Sequence, residues 1–271
     1  MDYKDPKTSN APDEILRAEN LAAGYPGKIV WQGANFSFVR GEFVAIIGPN
    51  GAGKTLLIRL LLGLKQPSKG TITVLNLPPR RGNPKIGYVP QRHLVDNDTN
   101  IECVELVRLA YSGNRWGIGM ESGKERKIAL EALEAVGASE LAHQPLNALS
   151  GGELQRIFLA EALVSDPEIL LLDEPLSNLD IRRARELVQL VNKVVRTRNV
   201  TALLVAHDIN PLLPFLDKVV YIANGKAATG IPKDVLTSES LSALYGVHIE
   251  VIRDSRGNIA IIGIEDHHGD E

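Results

Sequence analysis

The 271-residue sequence predicts an α/β fold: a mostly parallel sheet with helices, an antiparallel β subdomain on its N-terminal side and a helical subdomain inserted in its middle. Three observations predict it. The bounded apolar runs Phe43 to Ile47, Ile169 to Asp173 and Thr201 to Ala206 read as strands buried on both faces of a sheet. The helical spacing of Asp180 to Arg196, between the last two runs, completes a β-α-β unit. From Asn100 to about Ser165 the apolar spacing is helical throughout.

In chain order, residues 1–13 are polar, lack the apolar stretch of a secretory signal and are expected to be flexible. Short strands alternate with turn signals at Tyr25-Pro26-Gly27 and Arg40-Gly41 from Glu14 onward, and lead into the buried strand ending at Ile47. A glycine-rich loop, Gly48 to Thr55, precedes an apolar helix from Leu56 to Leu64. Thr71 to Leu75 and Ile86 to Val89 are strands separated by the turn-rich Pro78 to Pro84. Helices follow near Ile101 to Tyr111, Lys124 to Val136 and Glu153 to Leu163. Ser122 with Glu125 and Ser150 with Glu153 fit the capping box, and Gly137 fits a helix stop. Lys218 to Ala223 is a further strand, and Val247 to Ile252 with Ile259 to Ile264 form a hairpin about Asp254 to Asn258. The expected organisation is one domain over 14–264, with a helical subdomain at about 92–165, a C-terminal hairpin at about 247–264 and a loose tail over 265–271.

Composition narrows the classes. Hydrophobic residues make up 44% and charged residues 23%, as in an ordinary globular protein. A net charge of −3 offers no bulk attraction to nucleic acid. No apolar run approaches the roughly 20 residues that cross a bilayer. The single cysteine, Cys103, excludes an internal disulfide and a cysteine-based zinc site, so a reducing, cytosolic compartment is the default.

Gly48-Pro49-Asn50-Gly51-Ala52-Gly53-Lys54-Thr55 matches G-x-x-x-x-G-K-[ST] and sits between a buried strand and a helix that continues at Leu56. The glycines let successive backbone N–H groups turn toward phosphate oxygens, and the helix adds its positive end. Lys54 supplies a point charge for the β- and γ-phosphates of ATP, and the Thr55 hydroxyl a ligand for Mg²⁺. An incidental glycine-rich turn would lack the flanking strand and helix. The core is therefore that of a P-loop NTPase, RecA-like in its mostly parallel sheet. Ile169 to Glu174 is a buried strand ending in two carboxylates, and ligands of such sheets lie beyond the strands' carboxyl ends. Asp173 is placed to hold the Mg²⁺ shell opposite Thr55. Glu174, one step further out, can polarise an attacking water as general base. Alone, the pair could equally be two solvated acids opening a loop.

Leu149-Ser150-Gly151-Gly152-Glu153-Leu154-Gln155-Arg156 separates this sequence from other P-loop proteins. Ser150 and two glycines open a helix and form a second anion nest. The segment resembles the signature of the ABC transporter ATPase family. The resemblance runs from about Leu16 to Tyr245 and implies an ATP sandwich of two copies, in which Ser150, Gly151, Gly152 and Glu153 of one act on the ATP of the other. It also implies roles for single residues. Gln91, in Tyr88-Val89-Pro90-Gln91, resembles the Q-loop glutamine that reaches Mg²⁺ or the attacking water. His207 resembles the switch histidine that contacts the γ-phosphate. Tyr25 resembles the aromatic that stacks on adenine, with Trp31 nearby as the competing ring. Ser177-Asn178-Leu179-Asp180 resembles the D-loop, with Asp180 organising the dimer seam, although the family often has Ala in place of Asn178.

With no membrane segment of its own, the chain is expected to drive a separate permease from the cytoplasmic face of the membrane. That arrangement resembles bacterial importers served by an extracytoplasmic solute-binding protein. Tyr88 to Arg92, Val95-Asp96, the signature and Asp173 to Asp180 resemble the manganese/zinc/iron chelate branch; the iron-siderophore and cobalamin branch is the alternative. A non-transport ABC ATPase of DNA or the ribosome is disfavoured, because no coiled coil, zinc hook or second cassette is visible. The segment Arg92 to Gly119, with Leu94, Tyr111 and Trp116, is expected to face the permease, whereas Leu106, Val107 and Ala110 read as helix core. His267-His268, with Asp266 and Asp270, reads as a polar tail, too sparse for a metal site. Glu161 stands where the family commonly has arginine, which removes any ion pair the arginine would make.

Overall fold

The structure, a computed structural model, describes residues 13–91, 100–113, 123–177 and 179–263. Leu94, Trp116, Ser122, Asn178 and the histidines of the tail lie outside these residues, as do 1–12. Its centre is a nine-stranded sheet in the order β4-β1-β2-β9-β8-β3-β7-β6-β5. Five strands at one side run parallel: β5 (Ile86–Val89), β6 (Ile169–Asp173), β7 (Thr201–Val205), β3 (Phe43–Ile47) and β8 (Lys218–Ala223). All residues of β3, β6 and β7 are buried, which explains why polar residues occur only at their ends, Asp173 and Thr201. Alternate side chains leave on opposite faces. Ala45, Leu170, Leu172 and Leu204 join the core that holds the helical subdomain, whereas Ile46, Ile169, Leu171 and Leu203 join the core under the N-terminal strands.

At the other side, β1 (Glu14–Tyr25) pairs antiparallel with β2 (Lys28–Val39) and with β4 (Lys69–Val74). Two strands of 12 residues thus stand where a series of short ones is expected. Register shifts between Ala18 and Leu21 and between Leu21 and Ala23 let one strand bend through positions that break its alternation. The antiparallel part meets the parallel part through β9 (Lys226–Gly230), which pairs antiparallel with β8 (Lys218–Ala223) and parallel with β2 at Gln32 and Lys226.

Helix α1 (Lys54–Leu61) begins two residues earlier and ends three earlier than the sequence suggests. Gly63, at φ 66°, closes it: the Gly63 N–H bonds to Leu60 O and the Leu64 N–H to Arg59 O. Helices α2 (Cys103–Ser112), α3 (Gly123–Ala135) and α4 (Gly151–Leu163) pack together around Val104, Val107, Leu133 and Ile157. Leu106, Ala110 and Tyr111 pack against this core and are partly buried. On α4, Glu161 is half-buried with no ion-pair partner among the described residues, and burial pushes its carboxyl above the usual range. Helix α5 (Ile181–Arg198) connects β6 to β7. Helices α6 (Pro232–Val235) and α7 (Ser238–Tyr245) precede the hairpin of β10 (Ile249–Arg253) and β11 (Ile259–Gly263), which starts two residues later than expected.

Candidate active site at the strand ends

Because β3, β7, β6 and β5 are parallel neighbours, their carboxyl ends lie side by side. Gly48, His207, Asp173 with Glu174, and Gln91 follow those four ends. Residues far apart in sequence therefore share one edge of the sheet.

The phosphate loop is shaped from below. Gly48 has φ 150°, and a Cβ there would lie 2.0 Å from Ile222 O, so no other residue fits. Gly53 precedes α1 in the left-handed conformation at φ 95°. The fully buried Trp31 lies beneath it: a Cβ on Gly53 would stand 2.9 Å from the indole, and Nε1 donates to Gly53 O at 3.1 Å. Lys54 is only 5% exposed, and its ammonium donates to Gly48 O at 2.8 Å and Pro49 O at 3.1 Å. Burial pushes its pKa down, against the opposing pull of Glu174 and Asp173. The loop thus wraps its own cation, which phosphate oxygens would reclaim from two backbone carbonyls.

A cavity of about 330 Å³ opens over the loop and is lined by Tyr25, Asn50, Gly51, Thr55, Gln91 and Glu174, among others. Tyr25 is 52% exposed, with Lys65 Nζ 4.6 Å from its ring centre. Tyr25 thus lines the cavity, whereas Trp31 is spent on supporting the loop.

Thr55 Oγ1 donates to Asp173 Oδ1 at 3.3 Å. Asp173 is 2% exposed, and burial followed by the charge of Glu174 pushes its carboxyl up; Thr55, Arg59 and Lys54 oppose the shift. Glu174 has φ 54°, unusual for a residue with a side chain. Its N–H bonds to Val205 O at 3.2 Å, and its carbonyl accepts from the Ser177 hydroxyl at 2.8 Å. So turned, Glu174 Oε2 receives Gln91 Nε2 at 2.6 Å and His207 Nε2 at 2.8 Å. That contact places a proton on His207 Nε2. One carboxylate oxygen is thereby aimed by donors from two neighbouring strands.

The second anion nest stands apart. Ser150, Gly152 and Glu153 line a separate cavity of about 190 Å³ with Arg156 and Arg183, and no residue of the phosphate loop lines it. Glu153 Oε2 accepts from the Ser150 N–H at 2.8 Å and from its hydroxyl at 2.6 Å, which holds the Glu153 carboxyl below its ordinary range. Gly151 opens α4 behind it. Asp180 caps α5, accepting the Arg183 N–H at 2.9 Å. Sequence reasoning missed the supporting role of Trp31 and the place of Arg59 in the cavity wall. A tryptophan near a glycine-rich loop was the available signal, since a buried indole N–H needs an acceptor.

Residues 31–177 match the ABC transporter family. The chain is 32% identical to the zinc import ATP-binding protein ZnuC of Pseudomonas entomophila, over 86% of this chain and 84% of that protein. It is 34% identical to ZnuC of Magnetococcus marinus, over 89% and 86% respectively. Among solved structures, it is similar to a metal-chelate type ABC transporter in an inward-facing conformation, with TM-score 0.78, 26% identity and coverage of 93% of this chain and 98% of that one. A dimeric ATP-binding cassette in a post-hydrolysis state, bound to ADP and Pi, gives TM-score 0.66 at 27% identity, covering 80% of this chain and 98% of that one.

Proposed function

The chain belongs to the ABC transporter family, and on that premise we propose that it is the ATPase subunit that powers import of a divalent metal, manganese, zinc or iron, through a separate permease. The observation that carries the catalytic part is the meeting of Gln91, Glu174 and His207 beside the phosphate loop. The cargo rests on the relatives' names, zinc import and metal-chelate transport. Residues 14–264 act in this reading as one ATPase domain.

The loop from Gly48 to Leu56, shaped by Pro49, which has no N–H, binds the phosphates through its other backbone N–H groups and the Lys54 ammonium, and Tyr25 takes the adenine. Thr55 and Asp173 suit Mg²⁺: they offer hard oxygen donors side by side, and the buried carboxylate charge favours a cation. Thr55, Asp173 and Gln91 would hold Mg²⁺, which would supply charge neutralisation for the phosphates. Glu174 accepts a proton from the attacking water, and His207 and Gln91 hold its carboxylate in line. Ser150, Gly151, Gly152 and Glu153 serve the nucleotide of a second copy, a reading supported by their separate cavity and by the dimeric cassettes of similar fold. Asp180 lies at the seam between the copies. Among the described residues no helix is long and apolar enough to cross a membrane. In this reading the chain works at the cytoplasmic face through its permease, with a solute-binding protein delivering cargo outside, as the relatives' part in import supports.

Metal content of a strain lacking the gene tests the cargo. A selective fall in cellular zinc, manganese or iron, restored by the wild-type gene, is expected. Normal metal content with lost uptake of ferric siderophore or cobalamin would overturn it.

A further inference from the structure

The hairpin β10–β11 is tied to the loop that follows β7. Ile249 and Ile259 are buried in the main core, and Val251 and Ile261 pack against it. The polar contact comes from Asn210, three residues after His207. Asn210 Oδ1 accepts the Ile259 N–H at 2.6 Å, and Nδ2 donates to Ile259 O at 3.0 Å. Nδ2 also donates to Asp208 Oδ1 at 2.9 Å, which accepts the Asn210 N–H at 2.9 Å as well. A flipped amide would set its NH₂ against an N–H and its oxygen against two acceptors, so the network fixes one orientation. The side chain pairs with Ile259 as a strand would, and the same amide braces the turn that carries His207.

The hairpin is rigid at its far end too. Asp254 Oδ1 accepts the N–H groups of Arg256 and Asn258, both at 2.8 Å, and Oδ2 accepts Asn258 Nδ2 at 2.7 Å. Asn258 then lines a cavity of about 430 Å³ together with Glu174, His207, Asp208 and Asn210. From turn to strand to amide, a continuous set of hydrogen bonds ends beside the histidine.

We infer that Asn210 is a positioning residue, fastening the His207 loop to the C-terminal hairpin so that the hairpin sets where His207 Nε2 meets Glu174. This rests on the roles given above to His207 and Glu174. Hydrophobic contacts and the hydrogen bonds of Ser238 and Ser242 to Val251 and Ile249 hold the hairpin on the domain, whereas Asn210 bonds both the hairpin backbone at Ile259 and Asp208 of the switch loop.

Steady-state ATP turnover of the full chain tests it, with Asn210→Ala, Asn210→Asp, Asp254→Ala and His207→Ala compared with wild type. Asn210→Ala should lower kcat about 10-fold, since misplacement by an ångström costs up to about 10²-fold, while KM for ATP stays within about 2-fold. Asn210→Asp, which keeps the acceptor but turns charge against Asp208 and Ile259 O, should be no better than alanine. Asp254→Ala, remote from the histidine, should lower kcat by a smaller factor with KM unchanged. Wild-type kcat in both Asn210→Ala and Asp254→Ala would overturn the inference, as would kcat and KM worsening together with a lowered Tm. Should Asn210→Ala fail to fold, Asp254→Ala decides alone. Wild-type turnover in His207→Ala would instead refute the switch role itself.

Discussion

Replacing Trp31 with phenylalanine tests whether the phosphate loop depends on the ring beneath it. The indole is fully buried, and its N–H is one of two donors to Gly53 O; the other, Leu56 N–H, survives the change. The carbonyl therefore keeps one partner, and losing the second costs about 1 kcal/mol. The smaller ring also leaves space worth about one to two methylene groups, roughly another 1 kcal/mol. A total near 2 kcal/mol should lower Tm by about 4–8 °C in a domain of this size. Gly53 sits directly on the indole, so part of the loss falls on the loop. ATP affinity should weaken about 5-fold, which corresponds to about 1 kcal/mol. Thermal unfolding without nucleotide and calorimetric titration with ATP measure the two effects. A Tm change under about 1 °C would refute the packing and hydrogen-bond reasoning. A full drop in Tm with unchanged ATP affinity would show that Trp31 serves the core and not the loop.

Three further outcomes are expected. Glu174→Gln should retain ATP binding and accumulate a nucleotide-bound dimer in gel filtration, with turnover reduced about 10²–10⁴-fold; undiminished hydrolysis would end its assignment as base. Ser150→Arg should abolish hydrolysis while monomer ATP affinity stays near wild type, because its cavity is separate from the phosphate loop; a large affinity loss would contradict the sandwich. Glu161→Gln should raise Tm by a few degrees at neutral pH, about 2–4 °C per kcal/mol. Since burial raises the folded-state pKa of Glu161, its penalty is absent below the ordinary carboxylate range and grows as pH rises through the raised value. The advantage of glutamine should accordingly disappear in acid, and a Tm gain independent of pH would sink that explanation.

Local signals made much of this fold readable. Strands β3, β6 and β7 are evident because burial on both faces leaves polar residues only at their ends, Asp173 on β6 and Thr201 on β7, and β8 is bounded correctly for a similar reason. Strand β9 was not read, since Lys-Ala-Ala-Thr-Gly is small and half-buried and carries no alternation. Helix α7 was missed although Thr237 caps it through the Ser240 N–H, because eight residues give only two turns of periodicity. At the candidate site, the glycine-rich loop and the acid-tipped strand announced themselves by spacing. Trp31 under Gly53 and Asn210 against Ile259 did not. Those contacts span 22 and 49 residues and depend on a particular side-chain atom meeting a backbone atom.

The strand order also bears on how the protein is made. Strand β7 lies between β3 and β6, yet it is the last of the three in the chain. As the polypeptide leaves the ribosome, the phosphate loop on β3 and the acid pair on β6 emerge without the strand that must separate them. Pairing β3 directly to β6 at that stage would have to be undone before Thr201–Val205 could insert. Two largely apolar strand edges wait meanwhile, so the interval before residue 205 is one of exposure to misfolding. The strand that ends that interval also delivers His207, so β3 is joined to β6 and the strand-end cluster is completed in one step of synthesis, before β8 and β9 emerge to link this half to β2.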